Sequence, residues 1–211
     1  MKKYMLPLTI LLIAGMVTLI MLTRAQNRNG DLDPKSGREL LDNYAKMLEG
    51  MNTAKTGLPS AADLKTATLV NPHQVKTVPL DKLKALDSNG SIASITMQGA
   101  STFYEVRAAN GAVLALMEVV NKDGKNMAAS FGHKAMADAI GKLGANMPSA
   151  DLVRIQALHL DFLASNANGV MTYTALQTVP EFGLRAGATM PDKELLRIVS
   201  PFARKYNGLP L

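Results

Sequence analysis

The spacing of apolar positions changes several times along the chain, and each change predicts an element. Tyr4 to Thr23 has no charge over twenty residues and is mostly Leu, Ile, Met and Val, bracketed by Lys2, Lys3 and Arg24. From Ser36 to Met51 the residues Leu40, Leu41, Tyr44, Met47, Leu48 and Met51 recur at helical spacing opposite Arg38, Asp42, Lys46 and Glu49. Asp33-Pro34 ahead of them supplies a capping carboxylate and a proline where no amide donor is needed, which predicts an amphipathic helix. Ser60-Ala61-Ala62-Asp63 has the spacing of a capping box and predicts a short second helix. Pro79 to Leu86 predicts a third, closed by the turn residues Asp87-Ser88-Asn89-Gly90.

Strand-like texture follows. Ile92–Gln98, Thr102–Ala108 and Ala112–Val120 read as strands, with a hairpin at Asn110-Gly111 and a second turn at Asn121-Lys122-Asp123-Gly124. Phe103, Glu105 and Arg107 alternate with Tyr104 and Val106, as in a strand with one buried face. The helical period returns in Lys134–Leu143 and stops at Gly144. Leu152–Ala164 satisfies both periods; a cap at Ser149 or Asp151 and a stop at Asn166-Ala167-Asn168-Gly169 favour helix. Strands are expected at Val170–Gln177 and Phe182–Ala188, and a last helix from Pro191 through Leu195, Leu196, Ile198 and Val199 to Pro201. No repeat of fixed period is visible.

The expected fold class is α+β, in four regions. Residues 1–25 form a membrane anchor or signal segment and 26–79 a linker and helical region. Residues 80–130 form a small antiparallel sheet domain and 131–211 a C-terminal α/β region. Twenty apolar residues are what a helix needs to cross about 30 Å of hydrocarbon, so residues 4–23 read as a retained anchor. Thr23-Arg24-Ala25 also suits a cleaved signal cut after Ala25, and a buried core helix is a third reading. Lys2 and Lys3 favour a cytoplasmic N-terminus. The first two readings place the domain in the periplasm, anchored by a single pass in the bacterial inner membrane or free after cleavage.

Charge and composition then narrow the chemistry. The net charge of +6 owes half its size to Lys2, Lys3 and Arg24; without them 20 basic and 17 acidic residues leave +3, too little for a nucleic-acid footprint. The absence of cysteine removes thiol nucleophiles, dithiol redox pairs and thiolate metal sites. The histidines, His73, His133 and His159, have no partner at metal-ligand spacing, so a zinc site would need distant loops. No nucleophile elbow, Ser-x-x-Lys set or phosphate loop is present. Asn89-Gly90-Ser91 is read as a turn, and the methionines, Met47 and Met51 among them, as core filling. These residues assign no catalytic, cofactor-binding or metal position.

One resemblance stands out. Phe103-Tyr104-Glu105-Val106, Asn110-Gly111 and Asn121-Lys122-Asp123-Gly124-Lys125-Asn126 resemble the N-terminal dimerisation domain of periplasmic disulfide isomerases. The run Gly141–Pro148, the strand Asn168–Leu176 and Gly187-Ala188-Thr189-Met190-Pro191-Asp192 resemble the closing half of their thioredoxin-like domain. The resemblance implies a dimer through the strands at 91–120 and a thioredoxin-like remnant at the C-terminus. The family's Cys-x-x-Cys is missing, and Thr174 stands where its cis-proline would be, so no redox residue carries over. The expected function is a non-catalytic binding or assembly protein of the cell envelope, a degenerate non-redox relative serving a transport, secretion or conjugation assembly. Its partners are then the membrane, through residues 4–23, and a protein or a second copy. The alternatives are an exported hydrolase with scattered acids, serines and histidines, and an apolar-ligand carrier. A polar pocket holding His133 or His159 beside a carboxylate would favour the enzyme; an exposed strand edge or apolar face on helix 36–51 would favour assembly.

Overall fold

The computed structural model describes residues 32–143 and 150–207, and from Asp33 onward these form one compact α+β unit. The segment 4–23 lies outside the described residues. Among those described, no helix is long and apolar enough to cross a membrane.

Helix α1 (Pro34–Leu48) starts as its sequence predicts, with the Asp33 carboxylate accepting the Ser36 amide at 3.0 Å. Helix α2 (Ala61–Thr66) has the full Ser60/Asp63 capping box. Arg38 of α1 caps the far end of α2, donating to the carbonyls of Leu64, Lys65 and Ala67. The chain continues through β1 (Thr68–Thr77), α3 (Leu80–Ala85), α4 (Ile92–Ile95), β2 (Met97–Arg107), β3 (Val113–Lys122), β4 (Lys125–Gly132) and α5 (Lys134–Leu143). It ends with β5 (Asp151–Ile155), β6 (Leu160–Ala167), β7 (Val170–Ala175), β8 (Thr189–Pro191) and α6 (Asp192–Lys205).

All eight strands join one sheet in the order β4-β3-β2-β1-β5-β6-β7-β8. Every pairing is antiparallel except the central one, where β1 and β5 run parallel over only three residue pairs, Val75–Thr77 against Leu152–Arg154. Strands expected in the 80–130 and 131–211 regions are therefore joined through β1. Each half places its first strand at the seam and its fourth at an edge, and each is followed by a helix. Parallel first strands give the two halves the topology of a two-fold axis along the strand direction, which exchanges the faces of the sheet. The core agrees: α5 packs with Val75, Phe103, Leu116, Leu152 and Leu163, whereas α6 packs with Val153, Ile155, Phe162 and Tyr173. Helices α3 and α4 join the α6 layer through Leu83 and Ile92. On the same side of the sheet, α1 lies against Phe131, whose ring meets Tyr44 at 4.5 Å. Phe131 pairs with Met117 and shares its face, opposite to that of neighbouring Leu116.

Several expected elements are replaced. Leu152–Ala164 is not a helix. A 3-10 turn at Gln156–Leu158 and a left-handed His159 (φ 52°) fold it into β5 and β6. The expected helix stop at Asn168-Gly169 is a two-residue hairpin turn with both residues at positive φ, as is Asp123-Gly124 between β3 and β4. Ile92–Gln98 begins as helix α4, because the Asp192 carboxylate accepts the amides of Ile92 (3.1 Å) and Ala93 (3.2 Å). Phe182–Ala188 is turns and a 3-10 segment, with a single bridge from Val179 to Leu184; Gly183 and Gly187 at positive φ break the ladder. Helix α6 continues through Pro201 to Lys205. The missing amide leaves the carbonyl of exposed Arg197 to solvent, while Val199 and Ala203 stay buried on the inner side. Strands β1 and β4 were not expected, since Asn71-Pro72 and the small polar residues of 125–130 hide their period.

Candidate functional site

Two features stand out, a groove at one sheet edge and a polar spine beneath α5. The groove, of about 740 Å³, runs between α1 and the start of β4. Leu40, Tyr44 and Met47 form its helical wall, and Gly124–Ala128 form its other side. Helix α1 faces both ways: Leu41, Ala45 and Leu48 are buried against the domain, while Met47 remains 69% exposed. Strand β4 is the outermost on its side, so among the described residues no strand neighbours the outer backbone groups of Lys125–Ala128. A bulge at Ala129 lies beyond that stretch, where Glu118 pairs with Ser130 but Val119 with Ala128. The opposite edge is blunted: β8 has three residues and ends in Pro191. The strands at 91–120, through which the resemblance implied a dimer, are no edge: β2 lies between β1 and β3, and β3 between β2 and β4. The exposed edge is β4 instead, beside the exposed face of α1, and Met47 is a surface residue rather than core filling. Met51 is exposed as well.

The spine occupies the α5 side of β1 to β3. Glu105 is only 2% exposed, and both faces of β2 are covered where alternation predicted one. Its Oε1 lies 3.1 Å from His73 Nε2, and its Oε2 takes Arg107 Nε at 2.6 Å. Burial pushes the Glu105 carboxyl up, but hydrogen bonds from His73, Arg107 and Asn71 outweigh it and leave it below the ordinary carboxylate value. Further along, Glu118 accepts Ser101 Oγ at 2.7 Å and Ser130 Oγ at 2.8 Å. His133 Nε2 is 2.8 Å from the same Ser130 oxygen. His133 has φ 47° and stands its ring edge-on to Phe103 at 5.0 Å. Desolvation holds its imidazole below the ordinary histidine value, with Glu118 opposing. A cavity of about 260 Å³ opens beside it, lined by Lys134, Met136, Leu176 and Gln177.

Chemically, this is a set of satisfied polar groups more than a reaction centre. Ser130 has one proton to give, and the carboxylate takes its place on the serine rather than on the far nitrogen of His133, as a nucleophilic triad requires. No buried side-chain polar atom among the described residues lacks a partner.

His159 is exposed at the start of β6, and Asp161 is engaged by Arg154 Nε at 2.7 Å, so the two do not form a pair. Thr174 is fully buried on β7, its hydroxyl 2.8 Å from that of Thr189. Asn89 is an exposed turn residue whose amide meets Asp87 Oδ1 at 2.8 Å. Among the described residues no cluster of three or more His, Cys, Asp or Glu side chains is arranged to hold a metal ion. Glu118 and Ser130 were missed by sequence reasoning, because they meet across β3 and the unexpected β4. Comparisons with protein-family models, curated proteins and solved structures gave no match.

Proposed function

We propose that this chain is a non-catalytic binding or assembly protein of the bacterial cell envelope that accepts an extended protein segment alongside β4. It is held at the membrane through residues 4–23 or released after a cut near Ala25. The observation that supports this reading is the coincidence of an unpaired strand edge with an overhanging apolar helix. A strand added to β4 gains main-chain hydrogen bonds from the edge, and its inward side chains meet Leu40, Tyr44 and Met47. The segment belongs to a second copy of the chain or to another envelope protein. No residue of a disulfide-isomerase redox site enters this reading.

Photo-crosslinking tests it. A benzophenone side chain at Asn43 or Met127 of the full chain in mild detergent is expected to yield a protein adduct, whereas the same group at exposed His159 yields none. With the probe at Asn43, the pair Met47→Glu and Met127→Lys is expected to abolish the adduct. Recovery of uncross-linked monomer alone would overturn the proposal.

The hydrolase reading has one observation in its favour, the 2.8 Å approach of Ser130 Oγ to His133 Nε2 beside a cavity. A fluorophosphonate probe decides it: covalent labelling lost in Ser130→Ala would replace the binding reading with an enzymatic one.

A further inference from the structure

His73 sits on β1 two residues ahead of the seam, which begins with Val75 against Leu152. Its ring is 1% exposed. Nδ1 lies 2.8 Å from the carbonyl oxygen of Ala150, the residue that enters β5, and Nε2 lies 3.1 Å from Glu105 Oε1. A carbonyl oxygen only accepts, so Nδ1 carries a hydrogen. Glu105 is ionised for the reasons given above, and Oε1 accepts as well, so Nε2 carries a second hydrogen. A ring that donates from both nitrogens is an imidazolium. Its position is bounded by the Glu105 carboxylate, which Arg107 holds from the other side with Nε and Nη2 both at 2.6 Å from Oε2.

We propose that the doubly protonated His73 is a proton-dependent latch across the β1–β5 seam, joining the two halves of the sheet through Ala150. Removing one proton leaves two acceptors facing one donor. Either the Ala150 carbonyl or Glu105 Oε1 then loses its imidazole donor in a buried site. The parallel seam has only three residue pairs, and the bond to Ala150 lies two residues from its start, so its loss is felt first in the backbone ladder of the seam.

Other charged groups on this side of the sheet are engaged with partners of their own. On β2 the facing groups are Glu105 and Arg107. On β3, Glu118 is held by Ser101 and Ser130. On β5, Asp151 turns to the other face and pairs with Lys76, while Arg154 pairs with Asp161 of β6. On α5, Lys134 pairs with Asp138, and half-buried His133 is hydrogen-bonded to Ser130.

The test is nitrogen NMR of histidine-labelled full chain together with amide exchange, from about pH 5 to about pH 9. With three histidines in the chain, variants of His133 and His159 assign the His73 ring. Two amides report the outcome. Val78 N–H donates to the Arg154 carbonyl at 2.9 Å at the seam, and Leu176 N–H donates to the Asp161 carbonyl at 3.1 Å away from it. The cationic ring signal is expected at the acid end. The Val78 protection factor, corrected for intrinsic exchange, is expected to fall about tenfold as the ring loses its proton, with Leu176 unchanged. Glu105→Gln places an amide donor against a neutral Nε2 and an oxygen against Arg107, so seam protection in that variant should no longer follow pH. A singly protonated His73 at the acid end, a Val78 protection that ignores the ring, or a Glu105→Gln chain that keeps the wild-type profile would each overturn the proposal. Should that variant not fold, the wild-type ring and amide titrations decide the question by themselves.

Discussion

Replacing Asp192 with alanine should destabilise the domain through helix α4 rather than through α6, to which the residue belongs. The half-buried carboxylate accepts the amides of Ile92 and Ala93, the start of a four-residue helix with no side-chain cap of its own, and the Tyr173 hydroxyl at 3.0 Å. A lost capping carboxylate costs about 0.5–2 kcal/mol. Leaving a buried phenol without an acceptor adds about 1 kcal/mol. The expected loss for Asp192→Ala is about 1.5–3 kcal/mol, or roughly 3–12 °C in Tm for a domain of this size. Asp192→Asn keeps an acceptor but not the charge and should lose about half as much. Urea unfolding followed by circular dichroism gives these values, and a double-mutant cycle with Tyr173→Phe should return a coupling of about 1 kcal/mol. The alkaline limb gives a second reading. Burial, then the charge and hydrogen bond of Asp192, push the Tyr173 phenol far above its ordinary value of 10. A raised folded-state pKa stabilises the fold fully below about pH 10, and the stabilisation is lost as pH climbs toward the folded value. Tyr173→Phe should flatten that decline. An Asp192→Ala change within about 0.5 kcal/mol of wild type, or equal to Asp192→Asn, would refute the argument.

Other outcomes can be checked in the same unfolding assay. His133 is held below its ordinary value by desolvation, so stability should fall as pH drops below about 6.5, and His133→Asn, which tolerates the positive φ, should remove that fall. Glu105 is depressed, so its contribution is complete above the unfolded carboxylate range and is lost on acidification below it; Glu105→Ala should cost about 3–5 kcal/mol at neutral pH because His73 and Arg107 lose their common partner. Gly99→Ala should cost about 1–3 kcal/mol, since a Cβ there would stand 2.8 Å from the Val75 carbonyl oxygen at the β1–β2 ladder.

The features legible in the chain were those decided within a few residues. Asp33-Pro34 and Ser60-Ala61-Ala62-Asp63 start helices because a side-chain oxygen reaches an amide three positions away, whatever lies around it. Asn168-Gly169 was legible as a turn but not as a kind of turn: the same left-handed preference serves a helix end and a hairpin, and pairing with β7 decided for the hairpin. Leu152–Ala164 fits both periods because both of its faces are covered, which removes the alternation that marks a strand with one wet side.

The candidate site was less legible, since its parts are brought together by register. Glu105, Arg107 and His73 are separated by up to 34 positions and meet only because β1 pairs with β2. Glu118 finds Ser130 across a hairpin whose second strand has no strand-like period. The groove exists because β4 falls at the edge of the strand order, which no local pattern encodes.

By itself, then, the sequence determined the uncharged segment 4–23, the exclusion of thiol chemistry, the amphipathic helix and the helix caps, because composition and short-range hydrogen bonding suffice for each. The tertiary structure decided the eight-stranded sheet, its parallel seam, the two-fold arrangement of halves and the burial of His73 between the Ala150 carbonyl and Glu105. Each of these rests on strands paired at long range, where the partner across the ladder, not the neighbour along the chain, sets the environment of a side chain.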